Sequence, residues 1–198
     1  MTTEQMQQLG EMHLAPYMQA ATVLIGKSRE AGGNMFRHQL DTMAILIDYG
    51  IIDSVLLKAS IIHDVLEDIR DYNHNNILSL DSESHEVYKL VMEVTRREDE
   101  AKAEFLTRIR ETGSHKAKIL KVADRISNMI SLGFVNNPEF IERYIKETQD
   151  YILPIAADAS SYMVIELTHL IASRKRYLEG FHHHLVYKKM LEEQEKKQ

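Results

Sequence analysis

The most informative absence from this 198-residue chain is cysteine, which does not occur at all. Disulfides, thiolate chemistry and zinc sites built on sulfur are therefore excluded. Any metal would have to be held by histidine and carboxylate side chains, which suit manganese, iron, magnesium or zinc. Only three prolines and eight glycines are present, so long stretches of the chain are free of helix breakers.

The sequence also lacks an excess of basic residues and a long apolar run. The net charge is −6 at pH 7, whereas binding to nucleic acid usually needs a basic face. No apolar run approaches the roughly 18–20 residues of a membrane span, and the polar N-terminus has no signal-peptide pattern. We therefore expect a cytoplasmic protein that binds neither nucleic acid nor membrane. The sequence is compatible with either a monomer or a homo-oligomer.

Apolar residues recur mostly at helical spacing, and no segment alternates strongly enough to predict a strand. We predict an all-α fold in one domain, with a core at residues 1–157 and a C-terminal helical extension with a charged tail at 158–198. A long final helix or helix pair is expected to be interrupted near Gly180. The preceding helices are predicted at residues 16–29, 36–49, 53–71, 84–94, 98–111, 114–132 and 138–157.

The pair His63-Asp64, followed by Glu67-Asp68, is the motif most indicative of function. On a single helix these four side chains would fall within an arc of roughly 140°. One imidazole and three carboxylates could supply both metal ligands and groups that handle a water molecule. The carboxylates repel one another, so the stripe costs stability unless a cation offsets the repulsion. Periodicity alone leaves a metal site and a solvated face as alternatives.

Two other predicted helices carry polar stripes. Asp124 and Asn128 are four residues apart and share a face of one of them. On the other, His38 lies opposite an arc of apolar residues formed by Phe36, Leu40, Met43, Ala44 and Ile47. A solvated face is the usual meaning of each stripe taken alone. The alternative is that the three stripes converge on a cleft.

The order of His38, His63-Asp64 and Asp124 resembles that of the HD-domain metal-dependent phosphohydrolases. These are all-α proteins in which His…His-Asp…Asp hold a divalent metal. Further segments between about residues 20 and 157 resemble the small stand-alone RelA/SpoT-type (p)ppGpp hydrolases. They are His63–Asp68 (H-D-x-x-E-D), Val91–Thr95 (ending in V-T), Lys121–Met129 (K-x-A-D-R-x-x-N-M) and Tyr144–Pro154 (Y-x-x-x-T-x-x-Y-x-x-P).

The resemblance implies a role for each of ten residues. A divalent metal, with Mn²⁺ preferred, would be held by four ligands, His38, His63, Asp64 and Asp124. The catalytic acidic pair would be Glu67 and Asp68. The substrate would be bound by Arg29, Lys121, Arg125 and Asn128. The implied reaction is hydrolysis of (p)ppGpp to GDP or GTP and pyrophosphate.

The chain departs from that family around the metal ligands. The usual aromatic-x-x-His-Pro entry is here Met35–Gln39, Ile69 replaces a threonine, and Ile130-Ser131 replace Arg-Thr. Two alternatives to the (p)ppGpp substrate therefore stay open: another nucleotide, and a catalytically silent helical binding module. A further histidine run, 182–184, is expected to be structural or solvated, because successive helical positions point about 100° apart.

Overall fold

The computed structural model describes the backbone of residues 1–195 and the side chains of residues 1–180. Within these residues the chain is all-α, as predicted, and forms one domain without a strand. The helices are α1 Thr3–Glu11, α2 Ala15–Ala21, α3 Met35–Asp48, α4 Ser54–Ile62, α5 Val65–Asp68, α6 Asn75–Leu78, α7 Ser84–Val94, α8 Lys102–Thr112, α9 His115–Ser131, α10 Pro138–Glu147, α11 Leu153–Ala159 and α12 Ser161–Glu195. Short 3₁₀ segments occur at Thr22–Leu24 and Leu132–Phe134, and a π-helical segment at Thr148–Ile152.

Helix α9 lies at the centre of the bundle and packs against α3, α4, α7, α8, α11 and α12. Every residue from Val122 to Met129 is buried, and the polar ones are Asp124, Arg125, Ser127 and Asn128. The expectation of a solvated polar face is therefore wrong for this helix. Because buried polar groups are costly without partners, the neighbouring helices must supply hydrogen bonds or charges to these side chains.

Helix α3 turns a mostly polar face toward the core. Its bounds lie within one residue of the prediction, and the Asn34 side chain caps its first turn by accepting a hydrogen bond from the Arg37 amide. Of the predicted apolar face, Phe36, Met43 and Ile47 are half-buried and pack against the core, whereas Ala44 is exposed. The fully buried residues are His38, Gln39, Thr42 and Leu46. His38 and Gln39 can face the core because they find hydrogen-bonding partners on α9 and in the turn after α4. Thr42 bonds to the His38 carbonyl within α3 itself.

The predicted helix at 53–71 is interrupted at the His63-Asp64 motif. Asp53 caps α4 as its sequence position predicts, and α4 ends at Ile62. In a continuous helix the Ser60 carbonyl would accept a hydrogen bond from the Asp64 amide, but here it lies 2.8 Å from His63 Nδ1. The motif therefore occupies a turn between α4 and α5, and its side chains do not follow a single helical stripe.

The segment before α3 is a loop and not the end of the predicted helix at 16–29. Regular helix stops at Ala21, and a single 3₁₀ turn carries the chain to Leu24. Gly32 and Gly33, which lie between the helices predicted at 16–29 and 36–49, have φ values of +88° and +81°, a backbone conformation that glycine adopts readily. An isolated antiparallel bridge between Ser28 and Asn34 closes the loop, so its basic residues can reach the site described below.

The C-terminal third follows the predicted order of elements with one difference. Helix α10 begins at residue 138 as predicted, with Asn137 as its cap and Pro138 in its first turn. Helix α12 runs through Gly180 without the predicted interruption, which costs only about 1 kcal/mol relative to alanine. The side chains of residues 182–184 and the tail residues 196–198 lie outside the described residues. The division at 157/158 stays a prediction.

No helix in the described part of the chain combines the length and the apolar composition needed to cross a membrane.

Candidate active site

Three buried side chains from separate elements meet at the centre of the bundle. His38 comes from α3, His63 from the end of α4 and Asp124 from α9. His38 Nε2 lies 3.1 Å and His63 Nε2 lies 3.9 Å from Asp124 Oδ1. Each side chain offers one ligand atom, and the three atoms lie within 4.8 Å of one another, a spacing at which they could hold a metal ion.

Asp64, the fourth ligand implied by the resemblance, lies against the same cluster. Its Oδ2 is 3.3 Å from His63 Nε2 and 3.5 Å from His38 Nε2. The Gln39 side chain, which the sequence reasoning did not assign to the site, donates a hydrogen bond to the same oxygen at 2.9 Å. The structure thus brings together all four residues that were expected to hold a metal.

The hydrogen bonds of the two imidazoles fit a bound cation. His63 Nδ1 lies 2.8 Å from the Ser60 carbonyl oxygen. A carbonyl only accepts, so Nδ1 carries a proton, and Nε2 presents a lone pair in the neutral form of the ring. That Nε2 is buried and has no hydrogen-bond partner. His38 Nδ1 lies 2.8 Å from Ser127 Oγ, an outer contact of the kind that orients metal-binding histidines.

The charges of the cluster favour ionised carboxylates. Burial alone would raise the pKa of Asp64, but the neighbouring His63 and His38 lower it overall. Burial would also raise the pKa of Asp124, but Lys121 and the two imidazoles hold it well below its usual range. Burial lowers the pKa of His63, and the two carboxylates outweigh burial and raise it to about 8. The two ionised carboxylates therefore attract a cation, which would displace the proton of His63 Nε2 on binding.

The acidic pair of α5 lies beside this cluster in different surroundings. Glu67 is exposed to solvent at the cleft, and its Oε2 accepts a hydrogen bond from the Arg96 amide at 3.4 Å. Partial desolvation raises the pKa of Glu67, while the charge of Lys121 lowers it less. The pKa of Asp68 is also raised, first by burial and then by the charge of Asp64.

Lys27 is a site residue that the sequence reasoning missed. Its ammonium group donates to the Asp68 carbonyl and lies 3.2 Å from Asp68 Oδ1. The sequence did not indicate this contact, because Lys27 was expected to lie within the predicted helix at 16–29. The only signal in the sequence was the position of Lys27 two residues before Arg29, the basic residue singled out by the resemblance.

The cluster and the acidic pair lie in a cleft with a volume of about 410 Å³, within the usual range for small-molecule sites. His38, Asp64 and Asp124 line it together with Glu67 and Asp68. Its basic lining consists of Arg29, Arg96, Lys102, Lys121, Arg125 and Arg143. Carboxylates beside a basic wall suit an anionic ligand that reaches a bound cation.

Arg29, Asn128 and Lys121 form one continuous edge of the cleft. The Arg29 guanidinium donates to Asn128 Oδ1, and Asn128 Nδ2 donates to the Asp124 carbonyl at 2.9 Å. Lys121 Nζ lies 2.8 Å from Asp124 Oδ2 and 5.0 Å from the centre of the Phe105 ring. These expected substrate-binding residues are therefore linked to Asp124, one of the expected metal ligands.

Arg125 lies in the wall of the cleft and is almost fully buried. Its guanidinium donates to the Glu147 carboxylate and, at 3.1 Å, to Thr148 Oγ1. It also stacks on the Tyr144 ring with the guanidinium carbon 4.1 Å from the ring centre. The structure thus places Arg125 beside the other predicted residues, but its guanidinium already donates two hydrogen bonds to neighbouring side chains of the protein.

No protein-family model matches this chain, and no curated protein matches it significantly. Solved structures do match, among them a metazoan ortholog of SpoT that hydrolyzes ppGpp and plays a role in starvation responses. The alignment covers 81% of this chain and 94% of that chain, with 22% sequence identity and a TM-score of 0.69. The all-α fold expected from the motifs is thereby confirmed: the described residues form a helical bundle that is similar in fold to this ppGpp hydrolase.

Proposed function

We propose that the protein is a metal-dependent phosphohydrolase that removes pyrophosphate from the 3′ position of (p)ppGpp, with GDP or GTP as the other product. The observation that carries the proposal is the convergence of His38, His63, Asp64 and Asp124 beside an acidic pair in a basic cleft. The similarity in fold to a ppGpp hydrolase supports this substrate.

His38, His63, Asp64 and Asp124 would hold a divalent cation, and their imidazole and carboxylate donors suit Mn²⁺. Lewis-acid activation of water and of a phosphoryl oxygen is the chemistry that such an ion supplies when bound. The protein holds the four ligands from three directions, since α3, the α4–α5 turn and α9 each supply at least one of them.

Glu67 and Asp68 would handle the attacking water. The raised pKa of Glu67 brings its carboxyl group nearer to the range in which it can exchange protons at neutral pH. The Arg96 amide would orient the Glu67 carboxylate, and Lys27 would hold the Asp68 carboxylate. We assign proton acceptance to Glu67 and orientation of the water to Asp68.

Lys121 would offset the charge that develops on the substrate phosphates, since it lies beside the ligand Asp124 and lines the cleft. Arg29 and Asn128 would contact the nucleoside. The hydrogen bond between their side chains would then be replaced by hydrogen bonds to the substrate. Arg125 would act mainly by fixing Tyr144 and Glu147 in the cleft wall, given its bonds to them.

A nucleotide panel with Mn²⁺ tests the proposal. Purified protein is incubated with ppGpp, with nucleoside monophosphates and triphosphates, and with a 3′-phosphorylated cofactor, and released pyrophosphate and orthophosphate are measured separately. We expect pyrophosphate from ppGpp, and no release from a metal-stripped sample until Mn²⁺ is restored. Orthophosphate from other nucleotides alone would replace the substrate assignment with another nucleotide. Absence of both metal binding and turnover would favour a silent binding module.

A further inference from the structure

Gln39 is a buried polar residue that the proposed chemistry does not use. It follows His38 on α3 and has no exposed surface. Its Nε2 donates to Asp64 Oδ2 at 2.9 Å, while its Oε1 is buried without a hydrogen-bond partner. The reverse orientation of the amide would bring two acceptors together, so the donor must face Asp64.

This arrangement is unfavourable for stability alone. A buried amide oxygen without a partner has lost its bonds to water, whereas an apolar side chain of similar shape would lose none. The single hydrogen bond of the Gln39 side chain goes to Asp64. The residue is therefore better explained by what it does for Asp64 than by packing.

The Asp64 carboxylate needs such a contact because it makes no hydrogen bond to the helix that follows it. Asp64 lies in the turn before α5, and its side chain makes no capping hydrogen bond. The two imidazole nitrogens near its Oδ2, those of His38 and His63, cannot donate to Asp64 while they present lone pairs to a cation. The Gln39 amide remains a donor in every protonation state of the cluster.

We infer that Gln39 is a positioning residue, whose amide holds the Asp64 carboxylate in place for a divalent cation shared with His38, His63 and Asp124. This inference rests on the metal centre of the proposed function. Helix α3 then supplies one ligand, His38, and the contact that orients another. The family that the motifs resemble has proline at this position, and proline has no side-chain donor, so the departure at Gln39 gives this chain a contact of its own.

Calorimetric titration of Mn²⁺ into the metal-stripped, full-length protein tests the inference. Gln39→Met keeps an unbranched side chain of similar length but removes the donor, and we expect about 10- to 100-fold weaker Mn²⁺ binding, the usual cost of losing an outer contact to a ligand. The metal-free variant should unfold at the same temperature as the wild type or a higher one, because the unpaired Oε1 is gone. Gln39→Leu should show the same pattern.

Thr42→Val is the matched control. Thr42 lies one turn further along the same buried face, and its hydroxyl donates only to the His38 carbonyl within α3. We expect wild-type Mn²⁺ affinity from this variant. Wild-type affinity in both Gln39 variants, or an equal loss in Thr42→Val, would overturn the role of Gln39. A wild-type protein that binds no Mn²⁺ would overturn the metal centre as well.

Discussion

Replacement of Glu67 by glutamine is expected to remove most hydrolase activity while the metal centre stays intact. Glutamine retains an oxygen that can accept the Arg96 amide hydrogen bond, but an amide cannot take a proton from water. A positioned general base is typically worth about 10²–10⁴ in rate, which corresponds to about 3–5 kcal/mol of barrier. We therefore expect kcat for ppGpp to fall by about 10²–10⁴ with little change in KM.

The pH profile should change in a defined direction. Partial desolvation in the cleft raises the pKa of Glu67 above its ordinary value of 4.5, the Lys121 charge opposes this, and the Asp64 charge adds to it. The carboxylate is the active form and exists above its pKa, so wild-type kcat should decline as the pH falls through a value above 4.5. Glu67→Gln should lose this acid limb from its residual activity, and Lys121→Met should move the limb to higher pH.

Pyrophosphate release from ppGpp with Mn²⁺, measured across pH, together with metal analysis of each purified protein, decides between the roles open to Glu67. Glu86→Gln is the matched control, because Glu86 is an exposed acid on α7 that does not line the cleft. It should keep wild-type kcat and metal content. Near-wild-type turnover by Glu67→Gln would refute the general-base role. Loss of metal along with turnover would make Glu67 a ligand.

Asp64→Ala should lose bound metal and turnover together, and metal analysis that shows full occupancy in an active variant would contradict its role as a ligand. Gly32→Ala should lower the free energy of unfolding in denaturant by about 1–3 kcal/mol, because φ is +88° and the new Cβ would lie 3.0 Å from a backbone carbonyl oxygen. Gly33→Ala should lose less, since its φ is +81° but its Cβ would meet nothing within 4 Å; equal losses would contradict the steric argument. Hydrogen bonds from Arg108 lower the pKa of Glu100 to about 2, so their stabilisation is present above pH 4.5 and lost as the pH falls toward 2. Arg108→Leu should cost about 1–3 kcal/mol at neutral pH and weaken this pH dependence of unfolding, and an unchanged acid-unfolding profile would contradict it.

The helix boundaries could be predicted wherever a residue acts through its own local chemistry. Asp53, Ser114 and Asn137 accept hydrogen bonds from amides in the first turns of their helices, as their positions predict. Gly50 has a φ of +69° just after α3. Local rules failed at the end of α4, where the His63 imidazole lies against the Ser60 carbonyl, because capping preferences do not describe a contact of this kind. Periodicity contains no information on such a contact.

The burial of the candidate site could not be predicted from single helices, because their polar residues were expected to be exposed more often than buried. An amphipathic pattern places polar residues in water, and that inference assumes that each helix meets the core with its apolar face. His38 and Ser127, on α3 and α9, are buried because they satisfy each other at 2.8 Å, a condition that neither helix reveals alone. The ordered motifs nevertheless selected four residues that lie together in the structure, His38, His63, Asp64 and Asp124, because the motifs relate distant segments directly. The sequence did not reveal the role of Gln39, because its partner Asp64 is 25 residues away and no motif joins the two. Contacts of this kind, between a residue that departs from a motif and a ligand within it, have to be found in the folded structure.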